Sequence, residues 1–427
     1  MDALILIGSF LVLMLIGMPV AYAMGLAALI GAWWIDIPLD AIMIAIAAGV
    51  NKFSLLAIPF FVLAGAIMAE GGMSRRLVDF ASVLVGFLRG GLSLVNILAS
   101  TFFGAISGSS MADTASIGSV LIPEMEKKGY PRDFATAVTV SGSVQAILIP
   151  PSHNAVIYSL AAGGSVSIAA LFLAGVLPGL LLGLTLSIMC LFIARKRNFP
   201  RGESIPLRQA LRICIDALWG LMTMVIILGG ILSGVFTATE SASIAVIWAF
   251  FVTMCIYRDY KWRELPKLMH RTVKTLSIVM ILIGFAASFG YIMTLMQIPQ
   301  MITSGFTSVS ENKMVILLMI NVLLLMLGTL MDMAPLILIM TPILLPVVTA
   351  IGVDPVHFGM IMMVNLGLGL ITPPVGGVLF VGAAVAKLPI ERVVKALFPF
   401  FGALLLVLGA VTYIPALSLW LPGLLLK

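Results

Sequence analysis

The sequence predicts an all-α polytopic membrane protein made of two inverted-topology repeats, each with five transmembrane helices and one re-entrant hairpin. Three observations lead to this prediction. Of the 427 residues, 61% are hydrophobic and only 10% are charged, which is too little polar surface for a soluble fold. A pattern of prolines within apolar segments occurs twice, and the basic residues fall into clusters that can share one side of a membrane.

The length of the apolar runs favours helices over strands. Runs such as 4–34 and 213–235 have helical length, and lipid admits only helices and closed barrels as spanning structures. The first run contains Ala21-Tyr22-Ala23, which is similar to a signal-peptide cleavage site. No basic residue precedes the run, and it continues well past Ala23, so we expect a retained first transmembrane helix.

The proline pattern is repeated 223 residues along the chain. Pro123 is followed 27 residues later by the pair Pro150-Pro151, and Pro346 is followed 27 residues later by Pro373-Pro374. Paired interruptions at corresponding places in two apolar halves are typical of discontinuous helices around a substrate site at the bilayer midplane. The sequence therefore indicates a membrane transporter.

The distribution of positive charge predicts the topology. Although the net charge of +6 could suggest nucleic acid or acidic lipid as a partner, 21 of the 24 Lys and Arg can be placed on one side, leaving Lys52, Lys313 and Lys427 on the other. That side is expected to be cytoplasmic, with both termini periplasmic. With these spans each half makes five crossings, and an odd number of crossings inverts the second half relative to the first.

The elements follow from this orientation. In the first repeat, 1–194, scaffold helices occupy 1–90, with spans at 3–33, 36–51 and 54–70 and a surface helix at 74–90. A hairpin at 92–126, a broken helix at 133–163 and a span at 168–194 complete it. Residues 195–212 form the longest polar stretch and are interpreted as a cytoplasmic linker. In the second repeat, 213–427, scaffold helices occupy 213–296, with spans at 213–235, 238–257 and 275–296. After a short external segment come a hairpin at 314–349, a broken helix at 356–384 and a span at 396–424.

The tip of the first hairpin, residues 104–116, is too polar and too rich in glycine for contact with lipid. Small residues that allow close helix packing would explain the glycines and some of the serines. They would not explain the ionisable Asp113 among them, so we favour a binding function. Exposed N–H groups at the start of a half-helix favour a carboxylate, and freed carbonyls favour a cation.

The proline pairs create candidate cation ligands. Pro150 and Pro151 remove two backbone donors, so the carbonyls of Ala146 and Ile147 lose their helical partners. A proline kink satisfied by neighbouring groups is the alternative, and the repetition of the break in the second half argues against it. Two or more Na⁺ ions are expected, with these ligands: Ser107, Ser110, Gly142, Gln145 and Ile149 in the first half, and Gly328, Gly367, Gly369 and Thr372 in the second.

An anionic small molecule is expected between the two hairpin tips. The candidate residues that contact it are Ser109, Asp113, Thr114, Ser152, His153, Asn154, Asp332, Pro335 and Gly376. Asp113 and Asp332 could instead cap helix N–H groups, which we favour slightly, and His153 could be a neutral histidine paired with a carbonyl. Glu240 in Thr237-Ala238-Thr239-Glu240 has the form of a capping box and is assigned to structure.

Taken together, these motifs resemble the large membrane subunit of the TRAP (tripartite ATP-independent periplasmic) transporters, the DctM family, over essentially the whole chain. The most specific segments are Ser107-Gly108-Ser109-Ser110-Met111-Ala112-Asp113-Thr114-Ala115, Ser54-Leu55-Leu56-Ala57-Ile58-Pro59-Phe60-Phe61, Gly234-Val235-Phe236-Thr237-Ala238-Thr239-Glu240 and Gly369-Leu370-Ile371-Thr372-Pro373-Pro374.

The resemblance implies an elevator-type ion-transporter fold in the bacterial inner membrane and transport of an organic acid driven by the Na⁺ gradient. It also implies two partners, a small four-helix membrane subunit and a periplasmic substrate-binding protein. No further helices precede the first span, so we expect the small subunit to be a separate polypeptide. Where many relatives read Pro-Pro-Ser-Ile-Pro, this chain has Pro150-Pro151-Ser152-His153-Asn154, a form similar to the sialic-acid branch.

Two other classes of protein would also be apolar and helical. A stand-alone Na⁺/dicarboxylate symporter of the related inverted-hairpin type would transport without a soluble partner. A membrane-embedded enzyme or a non-transporting assembly subunit is the other class, which predicts a convergent acid, base or metal constellation, and the scattered histidines and cysteines do not provide one. Neither catalytic residues nor binding of nucleic acid is expected, and the lipid bilayer is the surrounding medium.

Overall fold

The computed structural model describes residues 2–202 and 205–426, and these fold into α-helices joined by short connections. Four residues lie outside the described part of the chain: Met1, Glu203, Ser204 and Lys427. The predicted external position of Lys427 and the middle of the predicted linker therefore also lie outside it. The first repeat contains α1 (Asp2–Leu15), α2 (Val20–Trp34), α3 (Leu39–Val50), α4 (Ala57–Glu70), α5 (Met73–Val85), α6 (Gly91–Ser107), α7 (Ser110–Lys127), α8 (Arg132–Gly142), α9 (Gln145–Leu148), α10 (His153–Ala161) and α11 (Ile168–Lys196). The second contains α12 (Leu207–Leu232), α13 (Ala238–Phe251), α14 (Leu265–Leu295), α15 (Ile298–Val309), α16 (Lys313–Gly328), α17 (Met333–Ala350), α18 (Pro355–Gly369), α19 (Gly377–Ala386), α20 (Ile390–Tyr413) and α21 (Ala416–Leu425).

The architecture confirms an all-α polytopic membrane protein. Seven helical segments of the described chain are long and apolar enough to cross a bilayer. An eighth span is broken: it consists of α8 and α9 followed by α10, with a bend of 51° at the first proline pair. The seven are Phe53–Glu70, Ile168–Lys196, Leu207–Leu232, Ala238–Tyr257, Trp262–Leu295, Met333–Ala350 and Ile390–Tyr413.

The single span predicted over 3–33 is wrong, because two helices occupy it. Helix α1 ends at Leu15, Gly17 adopts a positive φ of 92°, and α2 starts after Pro19. A left-handed glycine ends a helix readily, and proline cannot donate the next backbone hydrogen bond. The two helices pack against each other, so the chain reverses here.

Three further boundaries differ from those predicted. The span at 396–424 is divided at Pro415 into α20 and α21, and α21 packs mainly against α11 rather than α20. The short external segment contains a helix, α15, which packs against α17. The predicted span at 275–296 belongs to a helix that begins ten positions earlier, at Leu265, because Pro266 at the second position suits a helix start.

The capping box predicted at Glu240 is confirmed. The Thr237 backbone N–H donates to Glu240 Oε2 at 2.8 Å, and the Glu240 N–H donates to Thr237 Oγ1 at 3.3 Å. Both groups satisfy donors that a helix start leaves free. Glu240 therefore stabilises the first turn of α13.

The hairpins and breaks of the two halves lie at corresponding positions in the chain. Helices α7 and α17 each have 18 residues, and α17 begins 223 positions after α7, which is also the spacing of the proline pattern. The peptide bonds Pro150-Pro151 and Pro373-Pro374 are both cis. The two halves thus share one local structure at the hairpin and the broken helix.

Contacts between helices of the two halves occur in pairs that are related by interchanging the halves, as two-fold symmetry requires. Helix α4 packs against α13 while α14 packs against α2, and α7 packs against α19 while α17 packs against α10. In each case the second pair is the first with the halves interchanged. The returning arm of each hairpin, α7 or α17, therefore contacts the broken helix of the other repeat.

The linker between the repeats packs onto the base of the first hairpin. Phe199 is buried, with its ring 4.5 Å from that of Tyr130 and 5.1 Å from that of Phe134. Arg89 Nη2 donates to Asn198 Oδ1 at 2.8 Å, and the Gly90 N–H donates to the Pro200 carbonyl at 3.0 Å. These contacts fix the connection between α5 and α6.

Candidate functional site

The first hairpin turns within two residues. Helix α6 ends at Ser107, Gly108 takes a left-handed φ of 61°, and Ser109 caps α7 by accepting a hydrogen bond from the Ala112 N–H at 3.4 Å. Only glycine adopts the Gly108 conformation without a steric cost. The predicted glycine- and serine-rich tip is therefore a tight helix–turn–helix.

This tip lies directly against the break between α9 and α10. A Cβ atom on Gly104 would lie 2.6 Å from Ala146 Cα, and one on Gly108 would lie 2.7 Å from the Pro151 carbonyl oxygen. These two glycines allow backbone to approach backbone, which is the packing role considered for them from the sequence. The Ser110 hydroxyl then donates to the Ser143 carbonyl at 2.8 Å, linking α7 to the end of α8.

Of the five predicted ligands in the first half, Gln145 is already engaged within the protein. Its Oε1 accepts from Thr101 Oγ1 at 2.7 Å, and its Nε2 donates to the Gly142 carbonyl at 3.1 Å. The Ser107 hydroxyl accepts from the Ser109 N–H at 3.4 Å. Ile149 is extended at the break, which turns its carbonyl away from the helix axis. Ser110 is thus the predicted side chain that lies between the hairpin and the broken helix.

The second hairpin and its break meet in the same way. A Cβ atom on Gly369 would lie 2.7 Å from both Cα and the carbonyl carbon of Gly328, and the Val375 N–H donates to the Thr329 carbonyl at 3.0 Å. The Thr372 hydroxyl donates to the Leu368 carbonyl at 2.7 Å, which leaves its oxygen lone pairs available. Gly328, Gly369 and Thr372 are therefore brought together, while Gly367 faces Val144 of the first repeat.

The two predicted acidic residues have different environments. Asp332 is exposed at the second tip and caps α17 by accepting from the Met333 N–H at 2.8 Å. Asp113 is fully buried, and neither carboxylate oxygen has a hydrogen-bond partner in the described part of the chain. Capping is thus confirmed for Asp332, and for Asp113 it is wrong, because Ser109 already occupies the capping position.

The remaining predicted substrate residues are buried or half-buried in both halves of the site. Around the first break, Ser152 and Asn154 are buried, Thr114 lies on the buried side of α7, and His153 is half-buried with Nδ1 unpaired among the described residues. In the second half Pro335 and Gly376 are buried, whereas Pro373, Pro374 and Val375 at the break are exposed, as is Asp332 at the tip. The exposed residues around the two tips and breaks therefore belong to the second repeat.

Sequence reasoning missed three buried asparagines. Asn96 Nδ2 donates to Thr139 Oγ1 at 2.7 Å, Asn365 Nδ2 donates to Asn321 Oδ1 at 2.8 Å, and Asn321 Nδ2 donates to Thr412 Oγ1 at 3.0 Å. These bonds join α6 to α8, and α16 to both α18 and α20. The sequence could have indicated them, because an asparagine within an apolar run needs a hydrogen-bond partner in a neighbouring helix.

The geometry can be compared with known proteins. The family model described as "Tripartite ATP-independent periplasmic transporter, DctM component" matches residues 7–417, which include both hairpins and both breaks. The chain belongs to this DctM family. It is therefore a large permease component of a TRAP transporter for organic acids, a class that works with a small membrane subunit and a periplasmic binding protein.

Similar proteins include the uncharacterized protein YgiK of Salmonella typhimurium, 47% identical over 99% of this chain and 97% of that protein. The C4-dicarboxylate TRAP transporter large permease protein DctM of Pseudomonas aeruginosa is 42% identical over 87% of each. The sialic acid TRAP transporter large permease protein SiaM of Vibrio cholerae is 38% identical over 88% of each.

Among solved structures, the YdaH transporter of Alcanivorax borkumensis, described as having an unusual topology, superimposes with a TM-score of 0.62 over 88% of each chain. The sequence identity is 16%, so this likeness concerns the fold alone.

Proposed function

We propose that this DctM protein couples the inward movement of Na⁺ to the import of an anionic sugar acid such as sialic acid. The observation that carries the proposal is the meeting of a hairpin tip with a proline break in both repeats, through Gly108 and Pro151 in one and Gly328 and Gly369 in the other. Each junction offers a hydroxyl, from Ser110 or Thr372, beside backbone carbonyls. Oxygen ligands of this kind suit a hard cation such as Na⁺.

The proposed substrate is an organic acid held between the two tips. Ser152, His153 and Asn154 provide hydrogen-bonding groups after the first break, a combination suited to a polyhydroxylated molecule, and one relative is named for sialic acid. The second candidate is a C4-dicarboxylate, because a relative at 42% identity is named for that substrate. Supply of the substrate by a periplasmic binding protein and assembly with a four-helix subunit complete the proposal.

We further propose an elevator movement in the bacterial inner membrane, with both termini on the periplasmic side. The packing of α7 against α19 and of α17 against α10 supports it, because both hairpins and both broken helices form one body. Helices α3, α4, α13 and α14 pack with one another around it. The clustered Lys and Arg support the orientation.

The test is uptake into proteoliposomes that contain this chain and its small subunit, with the binding protein outside. We expect uptake of sialic acid that requires both an inward Na⁺ gradient and the binding protein. A C4-dicarboxylate offered with its own binding protein distinguishes the two candidate substrates. Uptake that ignores the Na⁺ gradient, or that proceeds without the binding protein, would contradict the proposal.

A further inference from the structure

A cavity of about 350 Å³ lies between two pairs of helices, away from the hairpin tips. Helices α3 and α14 form one wall, and α10 and α17 form the other. Its lining includes Gly49, Lys52, Gly163, Tyr291 and Pro342. Leu338 is the lining residue of α17 nearest the second tip, and it stands six positions after Asp332, which is about 9 Å along a helix. The cavity is therefore separate from the proposed substrate site.

The cavity lies on the side expected to be periplasmic. Helix α14 begins at Leu265, directly after the basic residues Arg258, Lys261 and Arg263. Tyr291 stands 26 positions later, about 39 Å along the helix and thus near its other end. Because basic clusters mark the cytoplasmic side, this external cavity is expected to face the compartment of the binding protein.

Lys52 is the one charged residue that lines the external cavity within the described chain. Its side chain is exposed, and it takes part in none of the three ion pairs found among the described residues, which all involve arginines. Lys313, the other described lysine expected on this side, donates to the Gly352 carbonyl at 2.9 Å. A cleft with apolar walls and charge of one sign concentrates ions of the opposite sign, so the external cavity attracts anions.

Two hydroxyl groups line the external cavity together with Lys52. The Tyr291 hydroxyl can donate to a carboxylate. The Thr294 hydroxyl donates to the Gly290 carbonyl at 2.8 Å, which leaves its lone pairs free to accept from a hydroxyl of the substrate. One cation, one donor and one acceptor are the groups that bind a hydroxylated organic acid.

We propose that the external cavity is a first binding site for the organic acid, in which the Lys52 ammonium binds the carboxylate before the acid reaches the hairpin tips. This proposal rests on the proposed import of an organic acid and adds a residue that selects for negative charge on the way in. The sequence marks Lys52 as unusual, because lysines are few on the periplasmic side of membrane proteins.

Lys52→Met keeps the apolar stem of the side chain and removes its charge. The concentration of loaded binding protein that gives half-maximal uptake is expected to rise about tenfold, with kcat nearly unchanged, because the hairpin tips are untouched. Lys52→Arg keeps the charge and is expected to retain most of the uptake. Lys313→Met is the matched control, since it removes a lysine from the same side but outside this cavity.

The experiment uses the full chain with its small subunit in proteoliposomes. Sialic acid and succinate are the probes, each offered with its own binding protein outside. Lys52→Cys is treated from outside with impermeant methanethiosulfonates that carry either a trimethylammonium or a sulfonate group. The cationic reagent is expected to restore uptake and the anionic reagent to reduce it further. The natural chain is the control, because Cys214 and Cys255 lie beside basic residues on the opposite side and Cys190 is buried.

An equal response of Lys52→Cys to both reagents would overturn the proposal. A fall in kcat with unchanged half-maximal concentration in Lys52→Met would also overturn it, because a lysine that holds a lipid phosphate predicts that result. Binding of loaded binding protein to the complex in nanodiscs is expected to be equal in Lys52→Met and the natural chain, and weaker binding would instead make Lys52 a contact of that partner. Uptake without a Na⁺ gradient, or of succinate alone, would reject parts of the proposed function, while the Lys52 variants would still decide this proposal.

Discussion

Ser109 and Asp332 occupy the same position in the two repeats, 223 residues apart, and each is the capping residue of the returning hairpin arm. Ser109 Oγ accepts from the Ala112 N–H at 3.4 Å, and an Asp332 carboxylate oxygen accepts from the Met333 N–H at 2.8 Å. One tip therefore presents a neutral hydroxyl and the other a carboxylate. The repeat preserves the cap and changes the charge that faces the proposed substrate.

Two substitutions of Asp332 distinguish its role as a helix cap from the role of its negative charge. Asp332→Ala is expected to cost about 1 kcal/mol of stability, because the first turn of α17 loses its acceptor. Asp332→Asn keeps an acceptor and is expected to cost only a few tenths of a kcal/mol on the same capping scale, with uptake altered through the substrate KM. Thermal unfolding and uptake kinetics measure the two effects. Equal destabilisation by both changes would show that the carboxylate does more than cap the helix.

Thr372→Ala tests the proposed Na⁺ ligand at the second break. The Thr372 hydroxyl donates to Leu368, so its lone pairs are available to Na⁺, and we expect its loss to raise the Na⁺ concentration for half-maximal uptake about tenfold. Thr349→Ala is the matched control, since Thr349 makes the same kind of bond to the Leu345 carbonyl at 2.9 Å but is exposed at the end of α17. An unchanged Na⁺ dependence in Thr372→Ala would remove Thr372 from the site.

The equivalent test in the first half is Ser110→Ala. Ser110 donates to the Ser143 carbonyl, and its removal is expected both to loosen the contact between hairpin and broken helix and to weaken the Na⁺ dependence about tenfold. Ser119→Ala, which removes an exposed hydroxyl of the same helix, is the control. If both variants show the natural Na⁺ response, the Ser110 hydroxyl is not a cation ligand.

Gly369→Ala tests the close approach at the second junction. The new methyl group would lie 2.7 Å from Gly328 backbone atoms, which cannot rotate away as a side chain could, so hairpin and broken helix must separate. We expect a cost of about 1–3 kcal/mol and strong loss of uptake. Gly402→Ala is the control, because nothing lies within 4 Å of the added atom. Natural activity in Gly369→Ala would show that the junction opens without consequence.

Phe199→Ala tests the attachment of the linker. Phe199 is buried against Tyr130 and Phe134, and truncating it is expected to cost about 3 kcal/mol. Trypsin is then expected to cleave the linker faster at its arginines, which gel electrophoresis of timed digests would detect. Phe199→Leu keeps most of the apolar contact and is expected to protect the linker. Equal cleavage of all three proteins would mean that Phe199 does not hold the linker in place.

Much of the site followed from the sequence, because prolines and glycines act locally. Pro150-Pro151 and Pro373-Pro374 break their helices where the backbone loses donors, and Gly108 supplies the left-handed residue that a two-residue turn requires. The engagement of Gln145 by Thr101 did not follow, because the partner lies on another helix, 44 residues away. The division of 3–33 at Gly17 was missed because hydropathy does not distinguish one long span from two short helices.

The sequence by itself determined the membrane class, the repeat, the location of both breaks and the DctM family, since these depend on composition and on backbone chemistry within short segments. The tertiary structure decided which polar groups meet. It placed Ser110 against Ser143, buried Asp113 within α7, and exposed Asp332 while enclosing Ser152. Those outcomes depend on how helices from both repeats pack, and a contact between distant helices is set by the whole arrangement of the chain rather than by any one segment.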